Sequence, residues 1–260
     1  MVSSTTPPTV VPAFAPLLLL LLLLACGPRD VSGEEAAGGA NRPAVAAPAA
    51  RAEERAAMVA RQLAGRDITD PRVLAAMRAI PRHEFVPAEI ADAAYQDSPL
   101  PIGLGQTISQ PYIVALMTQL GQAGPQSRAL DVGTGSGYQA AVLAEVAGRV
   151  YSIEILCELA REAEARLARL GYRNVEVRCG DGYRGWPEAA PFDVIIVAAA
   201  PEEIPQPLID QIAPGGRLVI PVGEGHQELV VVERARDGSI SRFSAGGVRF
   251  VPMTGEAQKR

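Results

Sequence analysis

The stretch Asp131-Val132-Gly133-Thr134-Gly135-Ser136-Gly137-Tyr138 (DVGTGSGY) closes a short apolar run, Arg128 to Gly133, and opens a helical pattern over 137–147. A strand that runs into glycines and then into a helix is the start of an α/β unit. The pattern repeats downstream. RVYSIE (Arg149–Glu154) reads as a second strand, and 156–170 as a helix with an apolar stripe at Leu156, Leu159, Ala163, Leu167 and Leu170, stopped by Gly171. VEVRCGDG (Val175–Gly182) is a third strand and turn. FDVIIVAAA (Phe192–Ala200) is apolar almost throughout, the mark of a strand buried on both faces. A helix from Gln206 to Ile212, a strand GGRLVIPVG, and a hairpin turning at Asp237-Gly238 complete the series. The expected fold is therefore a doubly wound, mostly parallel sheet with helices on both faces and antiparallel strands near the C-terminus.

Upstream of the glycine loop, 52–64 and 71–79 read as short helices, the second capped by Asp70 with Pro71 at its first position. Pro101–Gln106 reads as a loop, and apolar residues at helical spacing begin after Pro111. The folded domain is expected over 51–260. Residues 27–50, rich in Ala, Gly and Pro, read as a flexible linker. Residues 1–26 hold eight consecutive leucines (Leu17–Leu24) and end at Cys26, similar to a bacterial lipoprotein signal. The first sixteen residues have no Lys or Arg, which an export signal normally carries, so a start codon further in, near Met58, is the alternative.

The chain has 260 residues and a net charge of −5, which disfavours partners that need a basic face, nucleic acid above all. Three cysteines and two histidines (His83, His226) supply neither a zinc site nor a Cys–His nucleophile, and no metal is expected. Cys157 and Cys179 read as small buried hydrophobes.

Ligands of open α/β sheets sit at the carboxyl ends of the strands. Three acids fall there: Asp131 before the glycines, Glu154 twenty-three residues later, and Asp181 in a Gly-Asp-Gly turn with Gly182. Gly133, Gly135 and Gly137, with Thr134 between the first two, allow close backbone approach. GSGYQA also meets a loose dinucleotide pattern, but Asp131 would repel a pyrophosphate, and no P-loop lysine follows. Three carboxylates suit a ligand with a cationic end. S-adenosylmethionine meets that description, with Asp131 toward the methionine portion, Glu154 on the ribose diol and Asp181 on the adenine amine.

The blocks LPIGLGQTISQPY, LDVGTGSGYQAAVLA, residues 180–216 and VRFVPM together resemble the protein-L-isoaspartate (D-aspartate) O-methyltransferase family over about Met58 to Met253. The resemblance implies a Rossmann-like methyltransferase domain. It also implies methyl transfer to the α-carboxylate of L-isoaspartyl residues in damaged proteins, the ester returning through a succinimide toward aspartate. By position, Ser109 matches the family's active-site hydroxyl, with Thr107 and Gln110 as substrate-positioning neighbours.

The loop GQTISQPY has no ionisable catalyst, and this chemistry needs none. An α-carboxylate has a pKa near ~3.5 and is already ionised. A Lys or Arg there would hold the anion more tightly before reaction than in the transition state, where its charge falls. On spacing alone Ser109 also suits a helix N-cap. Another methyltransferase, acting on nucleic acid or a small molecule, would lack reason for these blocks, and AAAPEE at 198–203 stands where amino-methylating nucleic-acid enzymes usually carry an Asn/Asp-Pro-Pro-aromatic segment. A non-catalytic envelope lipoprotein would not need the intact glycine loop. A cytoplasmic monomer is expected, because the methyl donor is made there, with a membrane anchor only if Cys26 is lipidated.

Overall fold

The structure is a computed structural model that describes residues 51–259. The expectations for 1–26, for 27–50 and for Cys26 lie outside those residues.

Seven strands form the main sheet: β3 (Arg128–Val132), β4 (Arg149–Glu154), β5 (Val175–Cys179), β6 (Phe192–Val197), β7 (Ile212–Val222), β8 (Gln227–Arg234) and β9 (Ile240–Val248). Their order is β5-β4-β3-β6-β7-β8-β9, parallel from β5 to β7 and antiparallel beyond. The chain leaves β3 toward β4 and β5, then returns to the other side of β3 as β6. Strand ends diverge at such a reversal, and a crevice opens between them.

Why β6 is continuously apolar is visible in its packing. Val194 and Ile196 point into one core cluster, while Ile195 and Val197 point into the other. Each face therefore takes alternate residues, and burying each such side chain stabilises by about 1.5–3 kcal/mol. The expected doubly wound sheet is what the structure has.

Helix α1 (Ala52–Met58) runs on into a π-helical turn, Val59–Ala64, and α2 (Pro71–Ala79) is capped by Asp70, whose carboxylate accepts from Arg72 N at 2.8 Å. Helix α3 (Pro111–Gly121), α4 (Tyr138–Val146), α5 (Cys157–Arg169) and the short α6 (Gln206–Asp210) complete the layers. Helix α5 buries Leu159, Ala163 and Leu167, with Glu158 in its first turn and Arg166 and Arg169 in its last, signs that match the helix dipole.

One region differs from expectation. Pro101–Gln106 is no irregular loop. Strands β1 (Leu100–Gly103) and β2 (Gln106–Ile108) pair antiparallel in a separate two-stranded ribbon. Leu104 (φ 50°) and Gly105 (φ 72°) make the tight turn, whose positive φ at both positions suits a right-twisted hairpin. Pro101 sits in a two-stranded ribbon, where a missing N–H is tolerated.

Candidate active site

The crevice between β3 and β6 is walled by Val132, Gly133 and Gly135 on one side and by Ala198 and Ala199 on the other. Glu154, Ile155 and Leu156, at the end of β4, form a third wall, Gly182 a fourth, and Gln106 and Thr107 of the β2 ribbon reach the same space. The C-terminal segment Val251–Thr254 crosses over it. Of the expected site residues, Thr107, Gly133, Gly135, Glu154 and Gly182 line this cleft. Ser109, Gln110, Asp131, Thr134, Gly137 and Asp181 do not, and each stands behind or beside it in a specific way.

Asp131 and Ser152 are register partners across β3 and β4, so their side chains share one face of the sheet. Ser152 donates its hydroxyl to Asp131 Oδ2 at 2.7 Å, and Thr134 Oγ1 is 2.6 Å from Ser152 Oγ. This buried chain ties the glycine loop to the sheet. Asp131 is fully buried, and its Oδ1 has no partner. Burial pushes its carboxyl up to about 7; the Ser152 hydrogen bond opposes that rise and the Glu154 charge adds to it. A buried, half-satisfied carboxylate behind the loop favours a cation in front of it.

Glu154 is braced from both sides. Its Oε2 accepts from Gly135 N at 2.8 Å and its Oε1 from Leu156 N at 3.0 Å. Each oxygen keeps a lone pair for a diol. Gly137 caps α4 at φ 86°, and a Cβ there would sit 3.3 Å from Leu167 Cδ1, so glycine lets α5 pack against the loop. Gly182 fails differently: a Cβ would collide with Val132 Cγ1, so only glycine lets the turn lie on β3.

Asp181 faces an adjoining depression with Arg184, Glu256 and Lys259. Its Oδ1 accepts from Tyr183 N at 2.9 Å and its Oδ2 from Glu256 N at 2.8 Å. The C-terminal segment is thus pinned there and, upstream, to the end of β6, where Met253 N donates to Ala200 O at 2.8 Å and Ala200 N to Val251 O at 2.9 Å. The sequence reading assigned no role to this strap, to Gln106 or to Ala198-Ala199. Small side chains after β6 are the one local signal, since Ala198 is the group that faces Gly133.

Ser109 does not cap α3. The N-cap is Gln110, with no side-chain cap bond, and Pro111 takes the first helical position, where its absent N–H costs nothing. Among the described residues the Ser109 hydroxyl has no hydrogen-bond partner, while its carbonyl accepts from Arg82 Nη2 at 2.8 Å. Arg82, also missed in the sequence, is fully buried, donates from Nε to Ala94 O and lies over the Tyr138 ring. A cation does approach the loop, then, but it grips the backbone from behind.

His83 packs on Tyr95, its Nδ1 2.6 Å from the phenol oxygen, and His226 is exposed in a turn; neither lines the cleft. The cysteines overturn their reading. Cys157 and Cys179 are exposed and joined in a disulfide with Cα atoms 4.9 Å apart. Spacing could not reveal this, because the residues meet only through the β4–β5 pairing, whose last partners are Glu154 and Cys179. Among the described residues no group of three His, Cys, Asp or Glu is placed to hold a metal ion. None of their helices is long and apolar enough to cross a membrane.

A model of the protein-L-isoaspartate(D-aspartate) O-methyltransferase family matches residues 53–258. A protein-L-isoaspartate O-methyltransferase of Synechococcus sp. is 56% identical over 210 residues, 78% of this chain and 86% of that one. One from Opitutus terrae is 56% identical over 208 residues, 80% and 89% of the two chains. Among solved structures, a protein-L-isoaspartate O-methyltransferase superposes with a TM-score of 0.70 at 29% identity, covering 79% of this chain and 67% of the other. A Plasmodium falciparum protein described as a putative protein-L-isoaspartate O-methyltransferase, in complex with S-adenosyl-L-homocysteine, superposes at 0.67 with 26% identity, covering 77% and 98%.

Proposed function

The chain belongs to the protein-L-isoaspartate(D-aspartate) O-methyltransferase family, and from that premise we propose how its cleft divides the work of the reaction. The enzyme is an S-adenosylmethionine-dependent carboxyl methyltransferase of protein repair. It esterifies the α-carboxylate of L-isoaspartyl residues in damaged proteins, and the ester then closes to a succinimide that reopens in part to aspartate. The observation that carries the assignment of parts is the meeting of Glu154, the glycine loop and Thr107 around one cleft.

S-adenosylmethionine, when bound, supplies a methyl already activated on a sulfonium. A substrate carboxylate oxygen held in line with it would be the methyl acceptor, and the electron pair of the S–CH3 bond would remain with sulfur. Glu154 accepts from the ribose hydroxyls, held in place by the Gly135 and Leu156 amides. The unsatisfied Asp131 carboxylate attracts the cationic methionine end from behind Gly133, and through Ser152 and Thr134 fixes the loop. Asp181 and Gly182 shape the adenine end. Ser109, with Thr107 and Gln110, orients the carboxylate by neutral donation. Alignment of this kind is worth roughly 7–11 kcal/mol in favourable cases. No general base is needed, since charge is lost from both reactants in the transition state.

A labelled-methyl assay tests the reading. Label should enter an isoaspartyl peptide and neither its normal aspartyl twin nor RNA; equal labelling of both peptides would sink it. We further propose that the chain works as a cytoplasmic monomer, where the methyl donor is made. Mass spectrometry of the mature N-terminus checks this, and a lipidated Cys26 would place the enzyme on a membrane instead.

A further inference from the structure

The disulfide sits where it bears on the site. Glu154 and Cys179 are the last partners of the β4–β5 ladder, and Gly180 N donates to Glu154 O at 2.9 Å just beyond them. The bridge lies on the next step outward. Cys157 follows Glu154 by three residues and Cys179 precedes Asp181 by two. The intervening Ile155 and Leu156 line the cleft, and Leu156 N is one of the two amides that hold the Glu154 carboxylate. A covalent link therefore spans the two strand ends that lead to Glu154 and Asp181.

We propose that Cys157 and Cys179 are a reversible thiol–disulfide modification site, exchanging with low-molecular-weight thiols and disulfides of the glutathione type, and that closing the bridge tightens cofactor binding. The inference rests on the cofactor reading above. Both sulfurs belong to exposed residues, so a small disulfide reaches them without unfolding. Their Cα separation of 4.9 Å is within the range a bridge needs, so closure asks little backbone movement. Cys157 is the first residue of the thirteen-residue helix α5, and no side chain caps that helix. Arg161 Nε donates to the Cys157 carbonyl at 3.1 Å. The thiolate is the attacking species in such exchange, and Cys157 presents its sulfur at an exposed helix start. Cys157 thus attacks the S–S bond of the small disulfide, one thiol leaves, and a mixed disulfide remains. Cys179 then attacks the Cys157 sulfur and the second thiol leaves. Two electrons pass from the protein pair to the small disulfide, which ends as two thiols.

The effect falls on binding rather than on methyl transfer, because the clasp anchors the segment that carries the walls Ile155 and Leu156. Open, the 155–157 segment has more conformations to lose when ligand binds. Closed, that ordering is already done.

The test uses the full chain equilibrated in glutathione buffers from reducing to oxidising, with free thiols counted and S-adenosyl-L-homocysteine affinity measured by calorimetry. The expected result is a thiol count that falls by two, with affinity weaker by about threefold to tenfold in the reduced state. Cys157→Ser and Cys179→Ser should each hold the reduced-state affinity in every buffer. A thiol count constant across the series, or equal measurable affinities in both states, would overturn the proposal. The wild-type comparison needs no variant to fold. The readout needs no methyl acceptor, so failure of the isoaspartyl assay beside a persisting affinity shift would count against the substrate reading alone. No binding in either state would overturn both.

Discussion

Two parts of the cleft handle charge in opposite ways. The cofactor side is acidic and over-braced: Asp131 is fully buried beneath a hydroxyl chain, Glu154 is held by two backbone amides, and a disulfide closes the strand ends beyond it. The substrate side is neutral and half-exposed: Thr107, Ser109 and Gln110 stand on a two-stranded ribbon and a helix start, with the Arg82 guanidinium bound to the Ser109 carbonyl. A fixed charge must be kept in place against its own desolvation, so the fold surrounds it with structure. Groups that hold an anion only until it reacts work best when their grip is weak. Large penalties should therefore cluster on the first side and small ones on the second.

Asp131 should give the largest effect. Its folded-state pKa of about 7 lies above the ordinary 3.8, so between those values the folded apo chain keeps a proton that the unfolded chain has released. Stability from this group is full below 3.8 and is lost as pH rises through about 7. In urea unfolding, Asp131→Asn should lack that loss, and the wild type should fall relative to it by up to about 4 kcal/mol across the window. A constant difference across pH would show that the carboxylate is ionised throughout. Asp131→Ala should also weaken cofactor binding much more than Ser109→Ala; unchanged affinity in calorimetry would refute its role.

Next comes the bridge. With a sequence separation of 22 between the cysteines, Cys157→Ser should cost about 3 kcal/mol of unfolding free energy under oxidising conditions and nothing under reducing ones. Glu154→Gln follows, exchanging a charged acceptor of two amides for a neutral one, and should weaken S-adenosyl-L-homocysteine binding by about 100-fold. Ser109→Ala should be mildest: about a tenfold drop in kcat with cofactor affinity unchanged. If Ser109→Ala exceeded Glu154→Gln in steady-state kinetics, the contrast between the two sides would be broken.

How much the sequence disclosed follows the same division. The parallel, two-sided sheet around the glycine loop was legible because period-two burial on two faces leaves continuous apolar runs such as Phe192–Val197, whereas the strand order was not. Glu154 was legible because it ends a strand beside glycines. The place of Asp131 at a strand end was legible but its burial was not, since its partner Ser152 is fixed by strand register, which no local pattern records. Arg82, the strap Val251–Thr254 and the Cys157–Cys179 bridge were hidden for the same reason: each acts on residues distant in the chain. Pro101–Gln106, within the ribbon, was misread as a loop because glycine and proline content signals a turn without saying what flanks it.

The strap also sets when the enzyme comes into being. Residues 251–254 are synthesised well after residues 131–135, yet they roof a cleft whose floor those earlier residues lay down. A nascent chain that has already paired β3 with β4 and β6 still presents that floor uncovered. Domains begin to fold during synthesis, N-terminal parts first. The repair enzyme thus completes its own catalytic chamber only once residues 251–254 have been made and laid across it.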